Sequence, residues 1–354
     1  MKKIAIFQSE LGVGGIQKSI VNLLKSIDYS RFQVDLYLSR KEKFWDISFP
    51  EQLNIYYLKP TSRIYSFMPF DISKRFLKYD FSSADEYDLA IDFNSYQVSC
   101  AVGALTVPAK RRVMWIHNNV QIKLENEWKY RVLWNCFKGK FRYFDGFVPV
   151  SAALTEPFKT MSGVQDKPYT VIENLIDVDE IRAKTLIEPD GLVVDDKCLN
   201  FVALGRLCHQ KGYDIMLDEF AGACRARNDI RLYIIGDGPD RAALEEQRAR
   251  LHLDGKVFFL GHRENPYAVM SKMDAFISTS RYEGQPLNIM EAKAVGLPLY
   301  CAKNLEKYTD GLVGRENIAQ ALIQAKKEEK KPDDLAEYNK RILDKIAKLT
   351  EFAE

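Results

Sequence analysis

Short apolar runs alternate with longer amphipathic ones along almost the whole chain. The run KIAIF at 3–7 leads through a glycine-rich turn into IQKSIVNLLKSI at 16–27. There Ile16, Ile20, Leu23, Leu24 and Ile27 fall on one helical face. QVDLYL (33–38), YDLAIDF (87–93), RRVMWIH (111–117) and GFVPVS (146–151) read as buried or half-buried strands. NFVALG (200–205), RLYIIG (231–236), KVFFLG (256–261) and DAFIST (274–279) repeat the pattern, each followed by turn residues and a helical stretch. Such alternation predicts an α/β protein with parallel sheets covered by helices on both faces.

The stretch from about 162 to 200 breaks the rhythm. SGVQDKPYTVIENLIDVDEI and the acidic EPDGLVVDD suit a connection between domains, so the expected division is 1–174 and 175–330. After Pro332 the tail carries an amphipathic helix, so 331–354 can lie on either domain, packing back on the N-terminal one being one of the two readings. Composition narrows the function. A formal net charge of +2 gives no global attraction to nucleic acid, and six scattered cysteines without a CxxC pair suit reduced thiols and no metal site. No stretch reads as a bilayer span, which leads to the expectation of a cytoplasmic protein.

Three stretches can carry chemistry. GVGGIQKS (12–19) joins the first strand to the first helix, and Gly14 and Gly15 let backbone approach a ligand while the helix offers N–H groups to an anion. The glycine spacing fits neither a dinucleotide fingerprint nor a Walker loop, and a tight structural turn explains it nearly as well. ALGRLCHQKGYDIML (203–217) places Arg206 and Lys211 in a strand-to-helix loop. A guanidinium fork and a mobile ammonium can hold a diphosphate, and Lys211 is expected to be exposed; solvated loop cations are the competing reading. SRYEGQPLNIMEAKAVGLP (280–298) places Glu283 before a helix starting near Leu287, and Glu291 inside it. A carboxylate at Glu291 can accept from two neighbouring hydroxyls, as on a ribose; an exposed helix acid or ion-pair partner is the alternative.

Together these motifs resemble the retaining glycosyltransferases of family 4, which have the GT-B architecture of two Rossmann-like doubly wound domains facing a central cleft. EGQPLNIMEAKAVGLP looks like that family's pair of glutamates separated by seven residues. GRLCHQKGYD, LYIIGDGPDRAALE, VFFLGH and SKMDAFISTSRYEG match flanking family patterns in order. The resemblance implies that Arg206 and Lys211 bind the donor diphosphate and that Glu291 grips the ribose. It implies that Glu283 contacts the transferred sugar, helped by backbone at Gly284, Gln285, Pro286 and Leu287. Gly14 and Gly15 would face the phosphates, and backbone near His262 and Arg263 would meet the nucleobase. His117 would lie near the reacting centre, and Asn174 at the interdomain turn. Asp177-Val178-Asp179, the one DxD match, falls in that turn and reads as structural.

The implied activity is transfer of a hexose-type sugar from a UDP-sugar, with GDP-mannose as the other donor, to a glycan or lipid-linked acceptor, without a metal or other cofactor. A nucleotide-sugar-binding partner subunit and a sugar-nucleotide epimerase are the alternatives, with a NAD-dependent dehydrogenase further off. On the acceptor side, KLENEWKYRVLWNCFKGKFRYF (123–144) interleaves Lys129, Arg131, Lys138, Lys140 and Arg142 with Trp128, Tyr130, Trp134, Phe137 and Phe141. Such a helix can lie peripherally on an anionic membrane, as can 62–79; rings in the core and cations in solvent are the bland reading.

Overall fold

The computed structural model describes residues 1–351 except 13, 41–46, 59–67, 78, 82, 83, 127 and 310, and the side chains of Lys129 and Phe137 fall outside the description. The chain forms two compact units, Met1–Leu175 with Glu337–Glu354, and Ile176–Ala336.

In the first unit the strands are β1 (Lys2–Gln8), β2 (Phe32–Leu38), β3 (Asn54–Tyr57), β4 (Tyr87–Asp92), β5 (Ala109–Ile116) and β6 (Gly146–Pro149). They pair all-parallel in the order β3-β2-β1-β4-β5-β6. β1 and β4 bury almost every side chain because helices cover both faces, which is why they read as unbroken apolar runs. The connecting helices are α1 (Gly15–Ser26), α2 (Phe70–Phe76), α3 (Val98–Thr106), α4 (Val120–Asn126), α5 (Trp128–Phe137) and α6 (Thr155–Ser162). A 3₁₀ turn, Lys138–Tyr143, follows α5.

The second unit repeats the plan. Its strands β7 (Leu199–Leu204), β8 (Ile230–Ile235), β9 (Val257–Gly261), β10 (Ala275–Ser278) and β11 (Leu299–Cys301) run parallel in the order β11-β10-β7-β8-β9. Helices α7 (Val178–Thr185), α8 (Tyr213–Ala226), α9 (Arg241–Arg250), α10 (Pro266–Ser271), α11 (Leu287–Val295) and α12 (Ile318–Gln324) complete it. Phe201, Leu217, Phe220, Leu232, Ile234, Ile277 and Leu322 form the centre of its core. The last helix, α13 (Ala336–Leu349), joins the first unit, where Lys345 pairs with Glu173 at 2.7 Å and Tyr338 donates to the Asn174 carbonyl.

Both sheets are therefore doubly wound, as the alternation predicts. Two edge strands escaped the reading: β3 is exposed along most of its length, and β11 has only three residues. Neither presents an apolar run long enough to register. In each sheet the strand order reverses beside the first strand, between β1 and β4 and between β7 and β10. In open α/β sheets the carboxyl ends of the strands at such a reversal are where ligands bind.

Backbone packs against backbone at that point in the second unit. Gly212 has φ +64°, and a Cβ on it would stand 2.3 Å from the Thr279 carbonyl oxygen. Gly236 has φ +136°, and its Cβ would stand 2.0 Å from the carbonyl oxygen of Gly205. Only glycine fits at either position. Gly212→Ala is expected to destabilise the Ile176–Ala336 unit by about 2–3 kcal/mol, from left-handed strain plus displacement of the Thr279 carbonyl. Urea unfolding checks this; an unchanged midpoint would show that the two loops are not locked together.

Candidate functional site

The loop after β7 and the loop after β10 meet at the reversal point of the second sheet. Arg281 N–H donates to the Gln210 carbonyl at 2.8 Å, and the Gln210 amide donates to the Tyr282 carbonyl at 3.1 Å. Thr279 Oγ1 donates to the Gly212 carbonyl at 2.8 Å. Arg281 forks onto Asp214 at 2.8 and 2.5 Å, and this guanidinium holds the Asp214 carboxyl below the usual carboxylate range. From α11, Asn288 donates to the Leu204 carbonyl at 2.7 Å. Although 67 to 84 residues separate the partners in sequence, the two loops behave as one surface.

Three of the expected residues stand on it. Lys211 Nζ lies 2.7 Å from Glu283 Oε1, with the two side chains 20% and 6% exposed. Gln210 Nε2 donates to the other oxygen of the same carboxylate at 3.4 Å. Arg206 is exposed, and no carboxylate partner for it occurs among the described residues. Lys211 thus departs from expectation: it is an ion-pair partner of a buried acid rather than an exposed cation. The reason is that β7 and β10 are neighbours, so their loops cannot avoid each other.

Residues 282–287 are buried, and α11 begins at Leu287 without a side-chain cap, its Ile289 N–H donating to the Pro286 carbonyl at 3.1 Å. Glu291 is buried within α11 and accepts a hydrogen bond from Tyr267 of α10 at 3.2 Å, so the exposed-acid alternative fails. Burial and the Glu291 charge raise the Tyr267 hydroxyl well above its ordinary pKa, which keeps it a donor. His262 is exposed and Arg263 half-buried, just beyond β9, with Arg263 donating to the Asp190 carbonyl at 2.9 Å. Asp177 caps α7 by accepting from the Glu180 N–H at 3.0 Å. Gln210, Tyr267 and Asn288 carried no signal in the sequence, because each acts through a contact made only in the fold.

In the first unit, Gly14 and Gly15 stand at the start of α1, beyond the end of β1, and a Cβ on Gly15 would meet open space. The Ser19 hydroxyl donates to Asn174 Oδ1, and Asn22 donates to the Leu175 carbonyl at 2.7 Å. His117 follows β5 and is buried. Its Nε2 lies 3.0 Å from the Phe93 carbonyl oxygen, which can only accept, so Nε2 carries the proton and Nδ1 the lone pair. Burial lowers its pKa to about 3.

The basic aromatic stretch divides. Tyr130, Trp134, Phe141 and Lys140 are buried, whereas Trp128 and Val132 are 68% and 63% exposed. Most of the rings are core, and Lys140 is no surface cation. Residues 62–67 and 78 of the second such stretch lie outside the described residues; within it Phe70 and Leu77 are buried and Phe76 is exposed. No described helix is long and apolar enough to cross a membrane.

Residues 187–342 match the profile of the family described as Glycosyl transferases group 1. An uncharacterised glycosyltransferase of Methanocaldococcus jannaschii is 23% identical over 190 residues, 53% of this chain and 47% of that protein. The N-acetylgalactosamine-N,N'-diacetylbacillosaminyl-diphospho-undecaprenol 4-alpha-N-acetylgalactosaminyltransferase of Campylobacter jejuni is 26% identical over 317 residues, 85% of this chain and 80% of that one. Among solved structures, Anabaena HepE in complex with UDP and glucose superposes with a TM-score of 0.64 at 18% identity, covering 92% of this chain and 89% of that one. The fold is GT-B, and the resemblance to glycosyltransferases read from the sequence stands.

Lys211→Met should destabilise the second unit by about 1–3 kcal/mol, since it strands a buried carboxylate. Adding Glu283→Gln should recover most of that loss in denaturant titrations. His117 makes a pH prediction. Below its ordinary pKa of 6.5 and above about 3, the unfolded chain binds a proton that the folded one refuses, so stability falls as pH falls. The stability difference between wild type and His117→Gln should therefore shrink on acidification, by up to about 1.4 kcal/mol per pH unit between about pH 6 and 4. A pH-independent difference would mean that the imidazole is protonated in the fold.

Proposed function

We propose that the chain is a retaining family 4 glycosyltransferase that moves a sugar from a UDP-sugar to a hydroxyl of a glycan or lipid-linked acceptor. The observation that carries this reading is the meeting of Arg206, Lys211 and Glu283 at the reversal point of the second sheet, with Glu291 on the helix that follows. In open parallel sheets such a reversal point is where ligands bind.

As a glycosyl bond to phosphate breaks, negative charge grows on the departing diphosphate and positive charge on the sugar ring. Arg206, Lys211 and the first N–H groups of α11 are aimed where that anion would form, which is the most effective contribution a protein makes to such a step. Because their charge is already in place, the proposal needs no metal. Glu283 holds Lys211 and presents a carboxylate toward the transferred sugar. Glu291, its rotamer set by Tyr267, takes the ribose hydroxyls, and backbone beyond His262 takes the base. His117, neutral at physiological pH, offers an Nδ1 acceptor at the corresponding edge of the first sheet.

UDP is favoured over GDP because a structural neighbour was solved with UDP and glucose. The Campylobacter relative's name specifies a diphospho-undecaprenol acceptor, which favours a lipid-linked acceptor here too. Trp128 and Val132, one helical turn apart and exposed beside Arg131, would supply the membrane contact. A binding-only partner subunit would keep the donor site without turnover.

Ligand-induced stabilisation tests the reading. UDP at 100 times its Kd should stabilise the protein by about 2.7 kcal/mol, equally with magnesium or with EDTA. GDP and ADP should stabilise it less, and Glu291→Gln should weaken the UDP effect about tenfold in Kd, the loss of one or two hydrogen bonds to a charged group. No response to any nucleotide would overturn the assignment of the site; tight binding without turnover on lipid-linked saccharides would favour the partner subunit.

A further inference from the structure

Two buried ionisable side chains, Asp92 and Lys140, stand near the reversal point of the first sheet, and the motif reading gave Asp92 no role. Asp92, the last residue of β4, is fully buried, as is Lys140 in the turn after α5. Each moves the other's titration toward the charged form, against a burial effect that works the other way. Burying both groups costs desolvation free energy, so their placement calls for a structural reason.

The reason lies in residues 93–95, the first of the five that join β4 to α3. Asp92 Oδ1 accepts from the Asn94 N–H at 3.0 Å, and Lys140 Nζ donates to the Ser95 carbonyl at 2.5 Å. The Asn94 amide donates to Ser9 Oγ at 3.0 Å, just past β1. Between these anchors sits Phe93, whose carbonyl takes the His117 Nε2–H and whose ring lies 4.7 Å from the imidazole. On the outer side, Lys123 of α4 lies over the rings of Tyr96 and Tyr130, at 4.3 and 4.9 Å. The turn that sets the histidine is thus held by the same segment, 120–143, whose outer face exposes Trp128 and Val132.

We propose that Lys140 and Asp92 are positioning residues that fix the 93–95 turn and, through the Phe93 carbonyl, hold His117 in its Nε2–H tautomer with Nδ1 available as an acceptor. This rests on the reading of His117 as a site residue only for its consequence in catalysis. It also links the segment with the exposed apolar face to the histidine by direct contacts.

The test is histidine-selective ¹⁵N NMR, practical because the chain has four histidines, with His117 assigned through His117→Gln. Wild type should show one neutral Nε2–H tautomer at pH 6. Lys140→Met, which keeps the volume and removes the donor, should shift His117 toward mixed tautomers and speed Nε2–H exchange with water by at least about tenfold. Asp92→Asn should do the same to a smaller degree, and it serves if Lys140→Met fails to fold. A mixture or an Nδ1–H tautomer in wild type would overturn the proposal without any variant. So would folded variants with wild-type tautomer and exchange. UDP release from UDP-glucose, with water as acceptor, separates the two claims. If the tautomer responds while Lys140→Met and His117→Gln both release UDP at the wild-type rate, positioning stands and the role of His117 falls.

Discussion

Every strand pair in both sheets is parallel, and the rest of the molecule follows from that constraint. A parallel connection must return across the sheet, so each strand is followed by a crossing helix, apart from the β2–β3 connection, where no helix occurs among the described residues. Each loop leaving a carboxyl end emerges on the same edge. With β7 and β10 as neighbours, the loops carrying Arg206, Lys211 and Glu283 share one edge although about seventy residues separate them. β1, β4 and β5 do the same for Gly14, Phe93 and His117. The glycines at 212 and 236 are the local consequence, because loops packed this closely leave no room for a Cβ.

Charge in the second unit is arranged around that edge. Lys211 is engaged by Glu283, Arg281 by Asp214, and Arg206 is exposed without a carboxylate partner among the described residues. The pairs hold the two loops in register, and the Lys211 ammonium keeps donors beyond the one that Glu283 takes. An ion pair that orders a binding loop also lowers the entropy lost when a ligand binds, since the side chains are already fixed.

The first unit handles its buried groups differently. His117 is kept neutral by burial, while burial pushes the pKa of Asp92, at the end of β4, up to about 6 from an ordinary 3.8. These act oppositely on stability. Between about pH 4 and 6 the unfolded chain gains the histidine proton, and the folded chain gains the aspartate proton, so the two largely offset each other. The arrangement keeps a neutral imidazole over the range in which free histidine would charge, without the full acid sensitivity that burying it alone would bring.

How much of this was legible in the sequence depends on the range of the interaction. The alternation of apolar runs and amphipathic stretches reports strand and helix periods, which are local, and it determined the α/β class and the order of the strands other than the edge strands β3 and β11. The spacing of Glu283 and Glu291 is local too: it placed one carboxylate ahead of a helix and the other within it. What the sequence could not contain is which loops become neighbours. Lys211 read as a free cation because its partner is 72 residues away. Lys140 read as part of a basic surface because its helix-like context is amphipathic, yet it turns inward to the Ser95 carbonyl. The return of Glu337–Glu354 to the first unit likewise depends on Glu173 and Asn174 being in reach. Tertiary structure alone decided these, because an ion pair or a buried hydrogen bond needs two groups within about 3 Å, and only the folded topology brings them there.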